Sequence, residues 1–271
     1  FKFVNYAFAP HIVIFNNRSW RPGSFTSFSA NSFWHLEGAV TIESLNNKCK
    51  RSRPTIDREI IVGGLINKNP APLLEAARRY PGPIKLKLYG EPHSLKPVYQ
   101  QLVDNGLVEL LGPLPFDDLS SFYHEVDCVV HTEEFAGWSN LAAEALANNV
   151  PLICTEHGTA AFAINESTAL VMPMPSIENI IDRLLLIHAN DGHLVEQLIS
   201  NGLKVIARFS WKDYADRLLQ IAACSQNRYY TYAPHLGLHG KWPLDSRLKG
   251  LECLHAIAKG LSILDLGCSE C

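Results

Sequence analysis

From residue 58 onward, short runs of β-branched and other apolar residues alternate with longer amphipathic stretches. This alternation is typical of βαβ units, in which helices join parallel strands. The predicted strands cover residues 58–65, 84–89, 108–111, 128–131, 151–155 and 169–172. The predicted helices cover residues 71–80, 95–105, 117–125, 140–148, 177–189, 193–207 and 211–222. We therefore expect an α/β fold built on a parallel sheet.

The residues on either side of this region predict partial flanking segments. Residues 1–45 contain two predicted strands, at 11–15 and 33–40, which are too few to bury a core of their own. Residues 46–57 are polar and basic and read as a solvated linker. Residues 225–271 contain a predicted helix at 247–259 and a predicted strand at 262–266. Because the chain starts without Met and ends directly after a strand-like run, we expect both ends to be cut.

Composition excludes several classes of function. The chain of 271 residues has 24 Lys and Arg against 27 Asp and Glu, so no basic field supports binding to nucleic acid. No apolar run reaches the roughly 18 residues of a membrane helix, and we expect a soluble, cytoplasmic protein. The seven Cys are an odd number and scattered, which indicates reduced core thiols. The lone C-x-x-C at 268–271 lacks the second pair that a zinc site needs, and no metal site is predicted.

The stretch from 131 to 147 is the most informative part of the sequence. It starts at the carboxyl end of a predicted strand, turns at Gly137 and continues into a helix capped by Ser139 or Asn140. Ligands of open parallel sheets bind at this edge, and a helix N-terminus there suits a phosphate. Glu144, one turn into the helix, is placed to accept hydrogen bonds from two ribose hydroxyls. The alternative is that Ser139 and Asn140 only cap the helix and that Glu144 is a surface residue.

This stretch resembles the signature of the GT-B glycosyltransferases of family 4, in which a glycine turn precedes a helix bearing a Glu. Three further segments resemble that family's motifs in the family's order: 61–70 (IVGGLINKNP), 108–115 (VELLGPLP) and 151–158 (PLICTEHG). The resemblance covers about residues 37–222. It implies a Rossmann-like, donor-binding carboxyl-terminal half of a GT-B fold at 58–224, preceded by the tail of the amino-terminal acceptor domain at 1–45.

The resemblance also implies roles for individual residues in binding a nucleoside diphosphate sugar. Glu144 is expected to bind the ribose and Lys68 the diphosphate, unless Lys68 is only a solvated lysine at a helix end. The main chain of the other donor-binding positions is expected to surround the phosphates, the sugar and the base, although near Pro115 an ordinary turn is an equal alternative. These positions are Gly63, Gly64, Pro115, Gly137, Trp138, Ser139 and Asn140.

Two positions depart from the family's pattern. Ala136 stands where the family has the Glu that contacts the transferred sugar, and Glu133 and Glu134 occur just before it. Glu134 is either a catalytic substitute for that residue or a solvated loop residue. Gly64 stands where the family has a phosphate-binding Arg, so one cation that would stabilise the leaving group is absent. These departures affect turnover more than donor binding.

The last ten residues, 262–271 (SILDLGCSEC), resemble the first motif of class I S-adenosylmethionine methyltransferases, with Asp265 and Gly267 at the motif positions. The alternative is an ordinary buried strand and turn. If the resemblance holds, residues 225–271 are the start of a methyltransferase-like domain, and only the complete protein would bind S-adenosylmethionine.

Together these patterns predict a fragment of a glycosyltransferase that moves a sugar from a nucleoside diphosphate sugar to a saccharide or other hydroxyl acceptor. Retention of configuration and independence of metal ions and other cofactors follow from the resemblance. The fragment alone is expected to be inactive. Two alternatives stay open: a nucleotide-sugar-binding module without catalysis, and a bifunctional glycosyltransferase and methyltransferase.

Overall fold

The structure is a computed structural model that describes residues 12–16, 32–41, 58–189, 192–226 and 263–266. The predicted linker at 46–57, the predicted helix at 247–259 and Gly267 lie outside the described residues. Two compact units are present. Residues 58–135, 141–189 and 192–206 form the larger unit, and the other described residues form the smaller one.

The strands, in chain order, are β1 (Ile12–Phe15), β2 (Ser32–His35), β3 (Ile60–Leu65), β4 (Ile84–Tyr89), β5 (Val108–Gly112), β6 (Cys128–His131), β7 (Leu152–Thr155), β8 (Leu170–Met172) and β9 (Ile263–Leu266). The helices are α1 (Ala71–Arg79), α2 (Gln100–Asp104), α3 (Phe116–Glu125), α4 (Asn140–Ala147), α5 (Ile177–His188), α6 (Gly192–Ile206) and α7 (Trp211–Gln226). None of the helices in the described part of the chain has the length and apolar character needed to cross a membrane.

The larger unit is built on a six-stranded sheet in the order β5-β4-β3-β6-β7-β8, in which every pair is parallel. Every residue of β6 and β7 is buried, as expected for strands that helices cover on both faces. Cys128 and Cys154 lie in these two strands as buried free thiols. The predicted α/β fold with a Rossmann-like parallel sheet is therefore confirmed.

The strand order places a topological switch point between β3 and β6. The chain passes from β3 outward through β4 to β5, then crosses back to the other side of β3 and continues through β6 and β7 to β8. The loops that follow β3 and β6 therefore diverge at the carboxyl edge of the sheet and leave a crevice between them. Lys68 after β3 and Glu133 after β6 meet at this crevice.

The predicted helix at 95–105 is wrong over its first half. Two short 3₁₀ turns, Pro92–Ser94 and Pro97–Tyr99, precede α2, which has only five residues. Pro97 lacks an N–H group and disfavours the helical conformation at the residue before it, so an α-helix cannot run through this position. Gly106 follows α2 with a φ of 75°, which agrees with the predicted stop.

The smaller unit contains a parallel three-stranded sheet in the order β2-β1-β9. The predicted strand at 33–40 is wrong beyond His35, since only an isolated bridge from Val40 to Ser210 follows. Helix α7, which the sequence analysis assigned to the donor domain, belongs to this unit. Its Leu218 and Ile221 pack with Ile14 and Leu36.

The predicted strand near the carboxyl end of the chain is present as β9. It pairs parallel to β1, with Asp265 opposite Ile14 in the register. The methyltransferase-like assignment of this strand stays a prediction.

Candidate functional site

Hydrogen bonds from side chains of both loops connect the loop after β3 to the loop after β6. Thr132 donates its hydroxyl hydrogen towards the main-chain oxygens of Asn69, at 2.7 Å, and Lys68, at 3.1 Å. Asn69 donates from Nδ2 to the main-chain oxygen of Thr132 at 3.0 Å. Asn69 has a φ of 51°, in the left-handed region that Asn tolerates better than most residues. The main chain at Lys68 is therefore held against the end of β6.

Lys68 forms an ion pair across the crevice. Its Nζ lies 3.3 Å from Oε1 of Glu133, and the Lys68 side chain is 42% exposed whereas that of Glu133 is 12% exposed. Nε2 of the buried His131 lies 3.3 Å from Oε2 of the same carboxylate. Burial alone would raise the pKa of Glu133, but the hydrogen bond from His131 and the charge of Lys68 outweigh it and lower the pKa.

The main chain of Glu133 is held as well. Thr155, at the end of β7, donates its hydroxyl hydrogen to the main-chain oxygen of Glu133 at 2.5 Å. Nδ1 of His131 lies 3.5 Å from the same hydroxyl oxygen. Sequence reasoning offered Glu133 only as a carboxylate near Ala136, and the structure gives it the separate role of a counter-ion for Lys68.

Glu134 lies on the exposed side of the same loop. It borders an open cavity of about 500 Å³ whose other polar lining residues come from the starts of α1 and α5. These are Asn69, Glu75, Ser176 and Glu178. Glu134 thus borders an open recess with a mixed polar and apolar lining, and its contact with a sugar stays a prediction.

Glu144 lies on α4, which begins at Asn140 as predicted. The buried hydroxyl of Tyr123 on α3 is 2.9 Å from its Oε2 and 3.4 Å from the main-chain oxygen of Leu141. Burial, followed by the neighbouring Tyr89 and Glu144, raises the pKa of Tyr123 well above its ordinary value. Sequence reasoning missed Tyr123, because it lies on the apolar face of an amphipathic helix where an aromatic residue indicates only core packing.

The two glycines of β3 are explained by the side chains that pack closely against this strand. A Cβ atom on Gly63 would lie 2.8 Å from Cζ of Phe122, and one on Gly64 would lie 3.1 Å from the side chains of Leu73 and Leu88. Their predicted contacts with a donor stay predictions. Pro115 is exposed directly before α3, and its main-chain oxygen accepts a hydrogen bond from the N–H of Asp118 at 3.0 Å.

The glycine turn itself, residues 136–140, lies in the smaller unit. A Cβ atom on Gly137 would lie 2.0 Å from Oδ1 of Asn16, so only glycine fits this turn without rearrangement. Trp138 is buried, with its ring centroid 5.3 Å from that of Phe209. Ser139 is also buried, whereas Asn140 is exposed. Within this unit Trp138 acts as a packing residue.

The ring of His157 lies 6.1 Å from that of the exposed Phe135, beside the loop after β7. Within the described ranges, no group of three or more His, Cys, Asp or Glu side chains is arranged to hold a metal ion.

Comparison with known proteins shows what most of the larger unit is similar to. Residues 58–190 match the model of the family described as "Glycosyl transferases group 1". These residues resemble a group 1 glycosyltransferase domain, and we call them the group 1 domain. The domain is similar to an uncharacterized glycosyltransferase of Methanocaldococcus jannaschii, with 27% identity over 128 residues, which are 46% of this chain and 36% of that protein.

Solved structures resemble more of the chain than the group 1 domain alone. Staphylococcus aureus TarM shares 17% identity, with a TM-score of 0.65 over 80% of this chain and 44% of that one. Sucrose-phosphate synthase from Thermosynechococcus elongatus shares 18% identity, with a TM-score of 0.63 over 80% of this chain and 59% of that one. HepE of Anabaena, solved with UDP and glucose, shares 16% identity, with a TM-score of 0.62 over 79% and 63%. These similarities show the GT-B type of fold.

The chain spans only part of these proteins. It covers 36% of the length of the archaeal relative and between 44% and 63% of the three solved structures.

Proposed function

We propose that this chain is the donor-binding part of a glycosyltransferase that transfers a sugar from a nucleoside diphosphate sugar to a hydroxyl acceptor such as a saccharide. One observation carries the proposal. Lys68 follows β3 and Glu144 lies on the helix after β6, so the group 1 domain has a cation and a carboxylate on the two chain segments that leave its topological switch point.

The two residues have complementary tasks in this reaction. Negative charge grows on the diphosphate as it leaves the sugar, and a compact ammonium such as that of Lys68 stabilises it. The first turn of α4, from Leu141 onward, offers main-chain N–H groups to the same phosphates. The Glu144 carboxylate has lone pairs for the hydroxyls of the ribose. Glu134 and its cavity supply polar groups for the sugar ring.

Several finer points of the proposal rest on the resemblance to family 4. These are membership of that family, retention of configuration at the transferred sugar, and a reaction without a metal ion or other cofactor. The methyltransferase-like start at 225–271 is a separate hypothesis, based on the motif at 262–267, and no step of the proposed transfer uses S-adenosylmethionine.

Binding of nucleotides to the full chain tests the proposal. Because the HepE and TarM structures hold UDP, titration calorimetry starts with UDP and UDP-glucose and continues with GDP and GDP-sugars. We expect one nucleotide to bind, and Lys68→Met and Glu144→Gln each to weaken its binding about tenfold. Lys85→Met is the matched control, since Lys85 pairs with Glu109 near the amino edge of the sheet.

Two outcomes of this titration contradict the proposal. One is that the folded wild-type chain binds none of these nucleotides. The other is that Lys68→Met and Glu144→Gln bind as tightly as Lys85→Met does.

A second candidate is a module that binds a nucleotide sugar without catalysis. Three features favour this module: Ala136, Gly64 and the ion pair of Lys68 with Glu133. Each of them reduces the number of charged groups that are available to the reacting centre. Turnover of the bound donor by the complete parent protein separates the two candidates. Transfer or hydrolysis of the sugar supports the enzyme, and donor binding without either supports the module.

A further inference from the structure

The hydroxyl of Tyr123 meets the carboxylate of Glu144 inside the larger unit. The two residues belong to successive helices, α3 and α4, and their oxygens are 2.9 Å apart. Tyr123 is 1% exposed, so no water competes for the contact. A phenol that faces a carboxylate at this distance donates its only hydrogen to it.

The surroundings keep this donor in place. Burial is the largest cause that raises the pKa of both Tyr123 and Tyr89, and the charge of Glu144 raises both further. The hydroxyl of Tyr123 therefore stays protonated at neutral pH. The ring of Phe122 stands edge-on to the rings of both tyrosines, with centroid distances of 4.9 Å to Tyr89 and 5.1 Å to Tyr123.

We propose that Tyr123 is the positioning residue for ribose recognition: its hydroxyl fixes the Glu144 carboxylate in the orientation that accepts the ribose hydroxyls of the donor. This inference rests on the proposed function of Glu144. A glutamate has three rotatable side-chain bonds, and ordering them at the moment of binding costs affinity. A carboxylate already held by a buried donor avoids this cost and still has lone pairs for the ligand.

A loss of affinity that is confined to the ribose is expected. Removing the hydroxyl of Tyr123 weakens the contact with the ribose hydroxyls and leaves the contacts with the base and the phosphates unchanged. The readout is therefore the preference of the full chain for UDP over 2′,3′-dideoxy-UDP, measured by titration calorimetry, or for GDP over its dideoxy form if GDP binds better. We expect Tyr123→Phe to reduce this preference about tenfold and to bind the dideoxy nucleotide as the wild type does.

Tyr80→Phe is the matched control. The Tyr80 hydroxyl is also buried and lies 2.7 Å from Nδ1 of His188. Tyr80 ends α1, and the other ring nitrogen of His188 contacts Arg58, just before the amino end of β3. This control loses an equivalent oxygen far from the crevice and is expected to keep the wild-type preference. Circular dichroism melting curves of both variants test whether they are folded at the temperature of the assay.

A double variant and a shorter acid make the test decisive. If Tyr123 acts through Glu144, then Tyr123→Phe combined with Glu144→Gln loses no more preference than Glu144→Gln alone. Should Tyr123→Phe not fold, Glu144→Asp withdraws the carboxylate from the hydroxyl by one methylene and is expected to lose the preference as well.

The outcomes separate this inference from the proposed function. If Glu144→Gln removes the preference but Tyr123→Phe keeps it, or weakens both nucleotides equally, the positioning role is overturned and the proposed function stands. If the wild type binds no nucleotide, or if Glu144→Gln keeps the full preference, both are overturned.

Discussion

The ammonium of Lys68 lies 3.3 Å from the carboxylate of Glu133, so the cation that is proposed to meet a diphosphate already has a counter-ion within the domain. An incoming diphosphate competes with Glu133 for Lys68. Glu133 does not depend on this pairing alone, because His131 contacts its other carboxylate oxygen. The ion pair between Lys68 and Glu133 can therefore open while Glu133 keeps its contact with His131.

Replacing Glu133 by Gln is expected to strengthen binding of UDP. The variant removes the competing charge and keeps an oxygen that can accept the hydrogen bond from His131. Because ion pairs that are partly exposed contribute up to about 1 kcal/mol, we expect affinity to rise about threefold in a calorimetric titration. Glu134→Gln makes the same change of net charge on the next residue and is expected to leave UDP affinity unchanged. Weaker binding by Glu133→Gln would show that Glu133 assists the ligand.

The ion pair also predicts how stability depends on pH. The pKa of Glu133 is lowered from its ordinary value of 4.5. A carboxyl group with a lower pKa in the folded chain stabilises the fold above its unfolded-state pKa, and this stabilisation is lost as the pH falls through its folded-state pKa. Urea unfolding should therefore show Glu133→Gln about 1–2 kcal/mol less stable than the wild type at pH 7. The difference in unfolding free energy between the wild type and the variant should shrink below about pH 4.5. A difference that stays constant would contradict the ionised state assigned to Glu133.

The Thr132 hydroxyl is expected to support both stability and binding. Thr132→Val removes the hydrogen bond to the main-chain oxygen of Asn69, so we expect a loss of about 1 kcal/mol in the free energy of unfolding. UDP affinity should also fall, because the main chain at Lys68 loses its attachment to β6. The control is Thr168→Val, since the buried Thr168 hydroxyl donates to the main-chain oxygen of Phe162 at 2.7 Å and accepts from the N–H of Ile164 at 2.8 Å.

The control should lose at least as much stability in urea unfolding and keep the wild-type affinity for UDP. Equal affinities in Thr132→Val and the wild type would show that the loop after β3 does not need this attachment.

The smaller unit offers a test of packing. A Cβ atom on Gly38 would lie 2.4 Å from Cγ of Trp138, a buried ring that also contacts Phe209. Gly38→Ala is therefore expected to lower the free energy of unfolding by about 1–3 kcal/mol, measured by urea titration followed by circular dichroism. In the background of Trp138→Leu the same change should cost less, because the ring is gone. Additive effects of the two substitutions would contradict the close contact.

Patterns that repeat along the chain determined most of the larger unit. A strand and a helix have different periods of apolar residues, and each period is visible in a stretch of ten residues or fewer. The sequence thus predicted β3, β4, β6 and α4 nearly to the residue. It also placed Lys68 in the loop after β3 and Glu144 in the helix after β6, because these positions depend only on where each element starts and stops.

The errors arose where local signals compete. The amphipathic pattern at 95–105 predicts one helix, but Pro97 inside it prevents the first turns. The apolar residues at 33–40 predict one strand, but a strand also needs a partner, and beyond His35 only the bridge at Val40 remains. Local sequence shows which conformation a segment favours and does not show which neighbour completes it.

Local sequence patterns were thus enough to predict the type of fold, the edge of the sheet that carries the candidate site, and the residue types proposed to bind a nucleotide sugar. The pairing of those residues became visible only in the tertiary structure: Lys68 with Glu133, 65 positions later, and Glu144 with Tyr123, which the sequence patterns did not single out. The physical reason is distance along the chain. Side-chain hydrogen bonds and ion pairs act over about 3 Å in space, and the packing of separate strands and helices sets which side chains come that close.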